Sequence, residues 1–251
     1  MRLLLATAAL EDWEIEALDV KTAFLYGDLE EEIYMSQPEG FVIKGQEGKV
    51  YRLKKALYGL KQASHAWNKQ ADKSLKSLGF QRCISDTCIY IYNKNGSTII
   101  VILYVDNVLF MGNDYKLLMN AKSKFMKIWE CRDMGSATEY LGMKIFRDRK
   151  RKLIIIDQIE YAKKIVNHFG QENAKPARTP LPAGYIPKPN DKQATSEQRS
   201  YYQSIIGSLL YLTLGTRPDI AHAVIMMLQF MVNLLLFFLI FPYFYKYPMR
   251  R

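Results

Sequence analysis

Cysteine and histidine are scarce in this chain, with three of each among 251 residues. Cys83, Cys88 and Cys131 show no metal-ligand spacing with the histidines, which argues against a zinc site. Their odd number fits a reducing compartment better than a disulfide framework. Acid is short relative to base: 25 Asp and Glu against 35 Lys and Arg leave a net charge of +10 and a pI near 9.3. That balance favours polyanionic partners such as nucleic acid, although membrane-surface proteins share it. No secretory leader stands out. "MRLLLATAAL" has one Arg and a short apolar run, and it continues into "EDWEIE" as a surface helix would, so the expected location is cytoplasmic or nuclear. Only "VIMMLQFMVNLLLFFLIFPYFYKYPMRR", at the end, stays nearly free of charge for about twenty residues, the length a membrane span needs. Gln229 and Asn233 interrupt it, and a span is the less favoured reading.

The remainder is ordinary globular composition, 49% hydrophobic and 24% charged, with enough length to bury a real core. Charge is segregated along it. Residues 11–32 hold nine acids and one base (Lys21), residues 44–76 nine bases and two acids, and residues 144–164 eight bases and three acids. An acidic cluster between basic surfaces suits a site that holds metal cations while gripping a phosphate backbone; solvated helix faces would look the same.

Periodicity assigns the elements. Residues 2–10 read as an amphipathic helix. "DWEIEALDV" alternates Trp13, Ile15 and Ala17 against Glu14 and Glu16, a half-buried strand that delivers Asp19 near its end. Short strands flank a Gly-containing loop in "EEEIYMSQPEG" and "GKVYRLKKAL". A helix is predicted from Ser64 to about Leu78, with Trp67, Ala71 and Leu75 on one face and Gly79 as its stop. A β-meander follows: "CIYIY", the turn "NKNGS", "TIIVILYV", a break at Asp106–Asn107, and "VLFMG". Asp and Asn tolerate positive φ, so that break is by itself an ordinary tight hairpin. Asn113–Asp114 can cap a helix carrying Leu118, Ala121, Phe125 and Ile128. "EYLGMKIFRDRKRKLIII" is a hairpin with a basic tip, and Asp157 is placed as the cap of a helix closed by Gly170. A Pro-rich stretch follows, then helices opening on a Thr195–Gln198 capping box.

Two carboxylates at strand ends, Asp19 and Asp106, would suit two Mg²⁺ ions and a phosphoryl-type displacement if folding brought them together. The stretches "LDVKTAFLYGDLEEEIYMSQPEGF", "YRLKKALYGLKQASHAW", "DTCIYI", "ILYVDNVLFMG", "YLGMKI", "KPARTPL" and "IGSLLYLTLGTRPDIAHAV" occur in the order found in one family. Over roughly residues 2–224 the chain resembles the reverse transcriptase of copia-type long-terminal-repeat retrotransposons, part of their Pol polyprotein.

The resemblance implies an α+β fold, a polymerase palm-like antiparallel sheet backed by helices with a helical C-terminal part. It implies partial fingers and palm over 1–172, a Pro-rich linker over 173–194, a helical thumb or connection remnant over 195–224, and a divergent apolar tail over 225–251. Asp19 and Asp106 would be the metal-binding carboxylates, with the Val20 carbonyl on the metal, Mg²⁺ or Mn²⁺. Phe24 would be the gate against a 2′-hydroxyl, or core packing, or both. Tyr58, Gly59, Leu60, Lys61 and Gln62 would lie beneath the incoming nucleotide, where glycine lets backbone approach closely. Tyr140, Leu141, Gly142 and Met143 would steady the primer end. The implied partners are an RNA template, a DNA primer, dNTPs and other Pol polyprotein parts, with no membrane.

The chain departs from this pattern at one catalytic position. The family writes the hairpin Tyr-Val-Asp-Asp, and here Asn107 takes the second Asp's place. An amide oxygen can coordinate but carries no charge, and its cost is expected to be on the order of a hundredfold or more in rate. The family's preceding fingers segment and its downstream ribonuclease H part are also not in these residues. Three functions follow in order: an impaired RNA-directed DNA polymerase, a non-catalytic nucleic-acid-binding remnant, and a tail-anchored membrane protein.

Overall fold

A computed structural model describes residues 1–174, 179–181, 184 and 194–231. Most of the Pro-rich stretch 173–194 and the apolar run beyond residue 231 lie outside the described residues. The chain forms two compact units, Met1–Leu141 with Phe146–Ile154, and Gly142–Ile145 with the described residues from Ile155 onward.

The first unit runs α1 (Arg2–Leu10), β1 (Glu14–Val20), a 3-10 turn (Ala23–Tyr26), β2 (Tyr34–Ser36), β3 (Val50–Arg52), α2 (Ala63–Ser77), β4 (Gln81–Arg82), β5 (Ile89–Lys94), β6 (Ser97–Tyr104), β7 (Asn107–Gly112), α3 (Tyr115–Ile128) and β8 (Cys131–Ser136). Six of these strands make one antiparallel sheet in the order β4-β5-β6-β7-β1-β8, and β2 pairs β3 in a separate ribbon. The β5–β6 turn is Asn95–Gly96, both at positive φ, the sign pattern that matches the twist of a two-residue hairpin. One face of the sheet supplies Leu18, Val20, Val101, Leu103, Val108 and Phe110 to a buried cluster with Trp67, Ala71 and Leu75 of α2 and Leu118 and Phe125 of α3. Helix α2 stops at Gly79, φ +92°, and the Asp114 carboxylate caps α3 by accepting the Leu117 N–H at 3.0 Å.

Strand β1 is buried on both faces, not half-buried. Ile15 and Ala17 are inside, and so are Leu18 and Val20 on the other face. Glu16 shares that second face and is therefore buried as well, where the alternation had set it outward. A cation meets it: the Lys122 ammonium on α3, 1% exposed, donates to Glu16 Oε2 at 2.7 Å and to the Asp133 carboxylate on β8.

A second, three-stranded sheet has the order β11-β10-β9, built from β9 (Glu139–Tyr140), β10 (Met143–Asp148) and β11 (Leu153–Asp157). The second unit holds α4 (Ile159–His168), α5 (Ser196–Gly215), a 3-10 turn (Pro218–Ile220) and α6 (Ala221–Leu228). Its core gathers Ile165, Ile206, Leu209, Val224 and Met227, with the Tyr202 hydroxyl donating to the Met227 carbonyl at 2.7 Å. The capping box is present: Gln198 N–H donates to Thr195 and Thr195 N–H to Gln198. Gln158, not Asp157, is the N-cap of α4; Asp157 stands one residue outside and accepts the Ile159 N–H at 3.0 Å. The start of the terminal apolar run is core, since α6 buries Val224 and Met227. No helix among the described residues is long and apolar enough to cross a membrane.

Removing one partner of a buried ion pair strands the other charge. Lys122→Ala is expected to lower unfolding stability by about 3–5 kcal/mol in urea titrations, and joint replacement by Glu16→Leu and Lys122→Met by much less. Burial alone would raise the Asp133 carboxyl, but the Lys122 ammonium and the Gly135 N–H outweigh it and hold it below its ordinary 3.8. A lowered folded-state value makes this contribution complete above about pH 4 and lost as pH falls through the folded value. In urea titrations Asp133→Asn should therefore reduce stability near pH 7 more than near pH 2.

Candidate active site

The register of β1 and β7 sets Asp19 directly opposite Asn107, and β6 sets Tyr104 opposite the same Asn107. The Val20 N–H donates to the Asp106 carbonyl at 2.7 Å, which closes the end of the β1–β7 ladder on the turn itself. Two residues far apart in sequence, Asp19 and Asp106, thus meet at one end of two neighbouring central strands. Leu18, Val108 and Leu103 lie on the helix-covered face, so alternation places Asp19, Asn107 and Tyr104 on the other one.

The turn differs from its expected form. Its two central residues are Val105 and Asp106, and the positive φ falls on Val105, at +55°, not on Asp or Asn. A positive φ at the first central residue alone is the sign pattern of a type II′ hairpin, which prefers glycine there. A β-branched residue in that region is strained, on the order of 1–3 kcal/mol, and persists only where its surroundings hold it. The hold is visible: the Trp67 indole N–H donates to the Val105 carbonyl at 2.6 Å. Sequence reading had placed Trp67 only on the core face of α2.

Asn107 shapes the electrostatics. Its Nδ2 donates to Asp106 Oδ1 at 2.8 Å, so a neutral amide engages one oxygen of the adjacent carboxylate. A carboxylate in its place would repel Asp106 and would add the third negative charge. As it stands, no three His, Cys, Asp or Glu side chains gather at a metal-holding point among the described residues. Asp19 stands opposite Asn107, whose amide bonds Asp106, and carboxylate and amide oxygens are ligands of the kind hard divalent cations take. Neighbouring acids are otherwise engaged. Asp12 and Glu14 pair with Arg149, Glu16 with Lys122, Asp28 with Lys55, Glu30 with Lys69 and Glu32 with Arg52. Asp19 is not among these pairs. Acids of residues 11–32 thus pair with Arg52, Lys55, Lys69, Arg147 and Arg149, five of the seventeen bases in the two basic stretches. Across β1, Cys131 stands opposite Val20, and burial, helped by the charges of Asp19 and Glu130, pushes its thiol up to about 11.

Phe24 lies in the 3-10 turn just after β1, and its ring packs against Tyr58 with centroids 4.7 Å apart. Phe24, Leu29 and Leu60 cover the buried Ala56, Ala63 and Ala66, so Phe24 is packing. Tyr58 is 54% exposed and Lys61 is exposed. Gly59 has φ +98°, and a Cβ there would meet no protein atom within 4 Å, so its backbone demands glycine although nothing in the chain crowds it. Gln62 is the N-cap of α2 without a side-chain capping bond. Leu141 and Gly142, both at positive φ, form the two-residue turn between β9 and β10. Tyr140 and Met143 flank it and are buried. Burial, with Cys88 and Tyr104 near, holds the Tyr140 phenol well above its usual range, and its buried hydroxyl makes no hydrogen bond.

The fold is α+β, an antiparallel sheet with helices on one face and Asp19 and the Asp106 turn at one end of two neighbouring strands. The chain belongs to the reverse transcriptase (RNA-dependent DNA polymerase) family, whose model matches residues 1–183. It is 43% identical, over 93% of its length, to the Retrovirus-related Pol polyprotein from transposon TNT 1-94 of Nicotiana tabacum, covering 18% of that protein. It is 35% identical, over 92% of its length, to the corresponding polyprotein from transposon RE1 of Arabidopsis thaliana, covering 16% of it. A transposon Ty5-1 protein of Saccharomyces cerevisiae is 31% identical over 85% of this chain and 69% of its own length. The chain thus spans less than a fifth of the two plant polyproteins.

The Asn107–Asp106 bond makes a thermal prediction. Asn107→Asp is expected to melt lower than the parent in EDTA, by about 1 kcal/mol at the midpoint, and to recover in millimolar Mg²⁺ more than the parent does. Melting curves with and without metal decide it; equal responses of the two proteins would separate Asn107 from any cation site.

Proposed function

We propose that this chain is the palm of an RNA-directed DNA polymerase that adds deoxynucleotides to a primer 3′ end, with activity lowered by Asn107. The observation that carries this reading is the cross-strand pairing of Asp19 with Asn107, with Asp106 in the adjoining turn. Asp19 and Asp106, with the Val20 carbonyl, would hold Mg²⁺ or Mn²⁺. When bound, such ions supply activation of the primer 3′-hydroxyl and neutralisation of the triphosphate. The chain's own residues then position the reactants. The Phe24–Tyr58 pair walls the sugar and crowds a 2′-hydroxyl. Gly59, Leu60, Lys61 and Gln62 lie under the nucleotide, with Lys61 available to a phosphate. Tyr140, Leu141, Gly142 and Met143 support the primer.

RNA template, DNA primer and dNTPs are the proposed substrates, other Pol parts the proposed partners, and cytoplasm or nucleus the proposed location. The second reading, nucleic-acid binding without catalysis, draws on the neutral amide bonded to Asp106.

Primer extension on oligo(dT)-primed poly(rA) with Mg²⁺ separates them. The parent is expected to extend weakly, Asn107→Asp to exceed it by about a hundredfold, and Asp106→Ala to fail. Failure of all three, with RNA binding that weakens as salt rises, would leave the binding reading in place.

A further inference from the structure

The hairpin that carries Asp106 is held from outside the sheet. Trp67, 1% exposed on α2, is fixed by two other aromatics, Trp129 after α3 with its ring 5.1 Å away edge-on, and Tyr26 at 5.9 Å. Tyr26 and Trp129 close the triangle at 4.9 Å. Close approach of α2 depends on Gly27, where a Cβ would meet Ala66 Cβ at 2.8 Å and the Trp67 nitrogen at 2.9 Å. From this seat the Trp67 N–H reaches the Val105 carbonyl at 2.6 Å, on the residue whose φ is +55°. The next carbonyl, that of Asp106, accepts from Val20, the residue after Asp19. Trp129 offers a built-in contrast, since its buried Nε1 makes no hydrogen bond.

We propose that Trp67 is a positioning residue. Its indole N–H holds the strained Val105–Asp106 turn down on β1, so that Asp106 stays opposed to Asp19, and Tyr26 and Trp129 serve to aim that indole. The relevance to catalysis rests on the reading of Asp106 as a metal ligand; the anchoring itself does not.

Matched variants test it. Trp67→Phe and Trp129→Phe remove the same atoms from two neighbouring indoles whose N–H groups are both buried, so a merely structural role would affect both alike. Amide hydrogen exchange of Val20, which reports its bond to the Asp106 carbonyl, is expected to speed up about fivefold in Trp67→Phe and to stay unchanged in Trp129→Phe. Equal effects in both, or none in Trp67→Phe, would overturn the proposal. Should Trp67→Phe not fold, Gly27→Ala withdraws the indole by wedging α2, and the Val20 exchange must rise there too; an unchanged rate would overturn it equally. Mn²⁺ titration followed by its paramagnetic resonance signal keeps the two ideas apart. Mn²⁺ affinity unchanged by Asp106→Asn would remove the metal-ligand reading, while the exchange data still decide the anchoring. Where Asp106→Asn does weaken Mn²⁺ binding, Trp67→Phe is expected to weaken it about fivefold and Trp129→Phe to leave it as it was.

Discussion

The 2.7 Å bond from the Val20 N–H to the Asp106 carbonyl is the constraint on which the site depends. It locks the antiparallel register that sets Asp19 against Asn107. A slip of one residue would exchange the faces of β1, putting Asp19 under the helices and Leu18 or Val20 at the site. Burial on both faces forbids that slip, because Ile15 and Ala17 would trade places with Glu16 and Leu18 at the cost of two cores at once. Precision at the carboxylates is therefore a by-product of packing several residues away along the same strand.

Charge plays two separate parts in this fold. Most of the acids before residue 33 are joined to bases that the chain supplies much later, as Asp12 and Glu14 are to Arg149, and Glu16 to Lys122. Exposed pairs of this kind contribute little stability each. Among these pairs the Lys122 group is the most deeply buried, and its loss would cost the most. At the hairpin the balance runs the other way. Asn107 relieves repulsion and adds a hydrogen bond to Asp106, a local gain in stability that comes with one charge fewer where a family member has two adjacent aspartates.

Strain marks the same spot. Val105 takes a backbone conformation poorly suited to a β-branched side chain, and Leu141, in the β9–β10 turn, also has a positive φ, +49°. Both turns carry residues that the family resemblance assigns to the reaction. Rigid elements around them supply the restraint: α2 through Trp67 at the first, and the buried Tyr140 and Met143 on either side of the second.

The sequence by itself determined the elements and the family. Local chemistry is written in short stretches, so Asp114 as a cap, the Thr195–Gln198 box, Asn95–Gly96 as a turn and the strand bearing Asp19 are all legible from a few neighbouring residues. The meeting of Asp19 with the Asp106 turn was legible only through the resemblance, because two single carboxylates at that separation carry no periodic signal of contact. What tertiary structure alone decided is how distant groups satisfy one another. Glu16 turned inward because both faces of β1 are covered, and Lys122 followed it there because a buried carboxylate requires a cation. The positive φ moved from Asn to Val105 because strand register, not residue preference, chose which two residues form the turn. Trp67 is core, as its place on α2 expects, and it also donates to the Val105 carbonyl because only the packed α2 brings its N–H there.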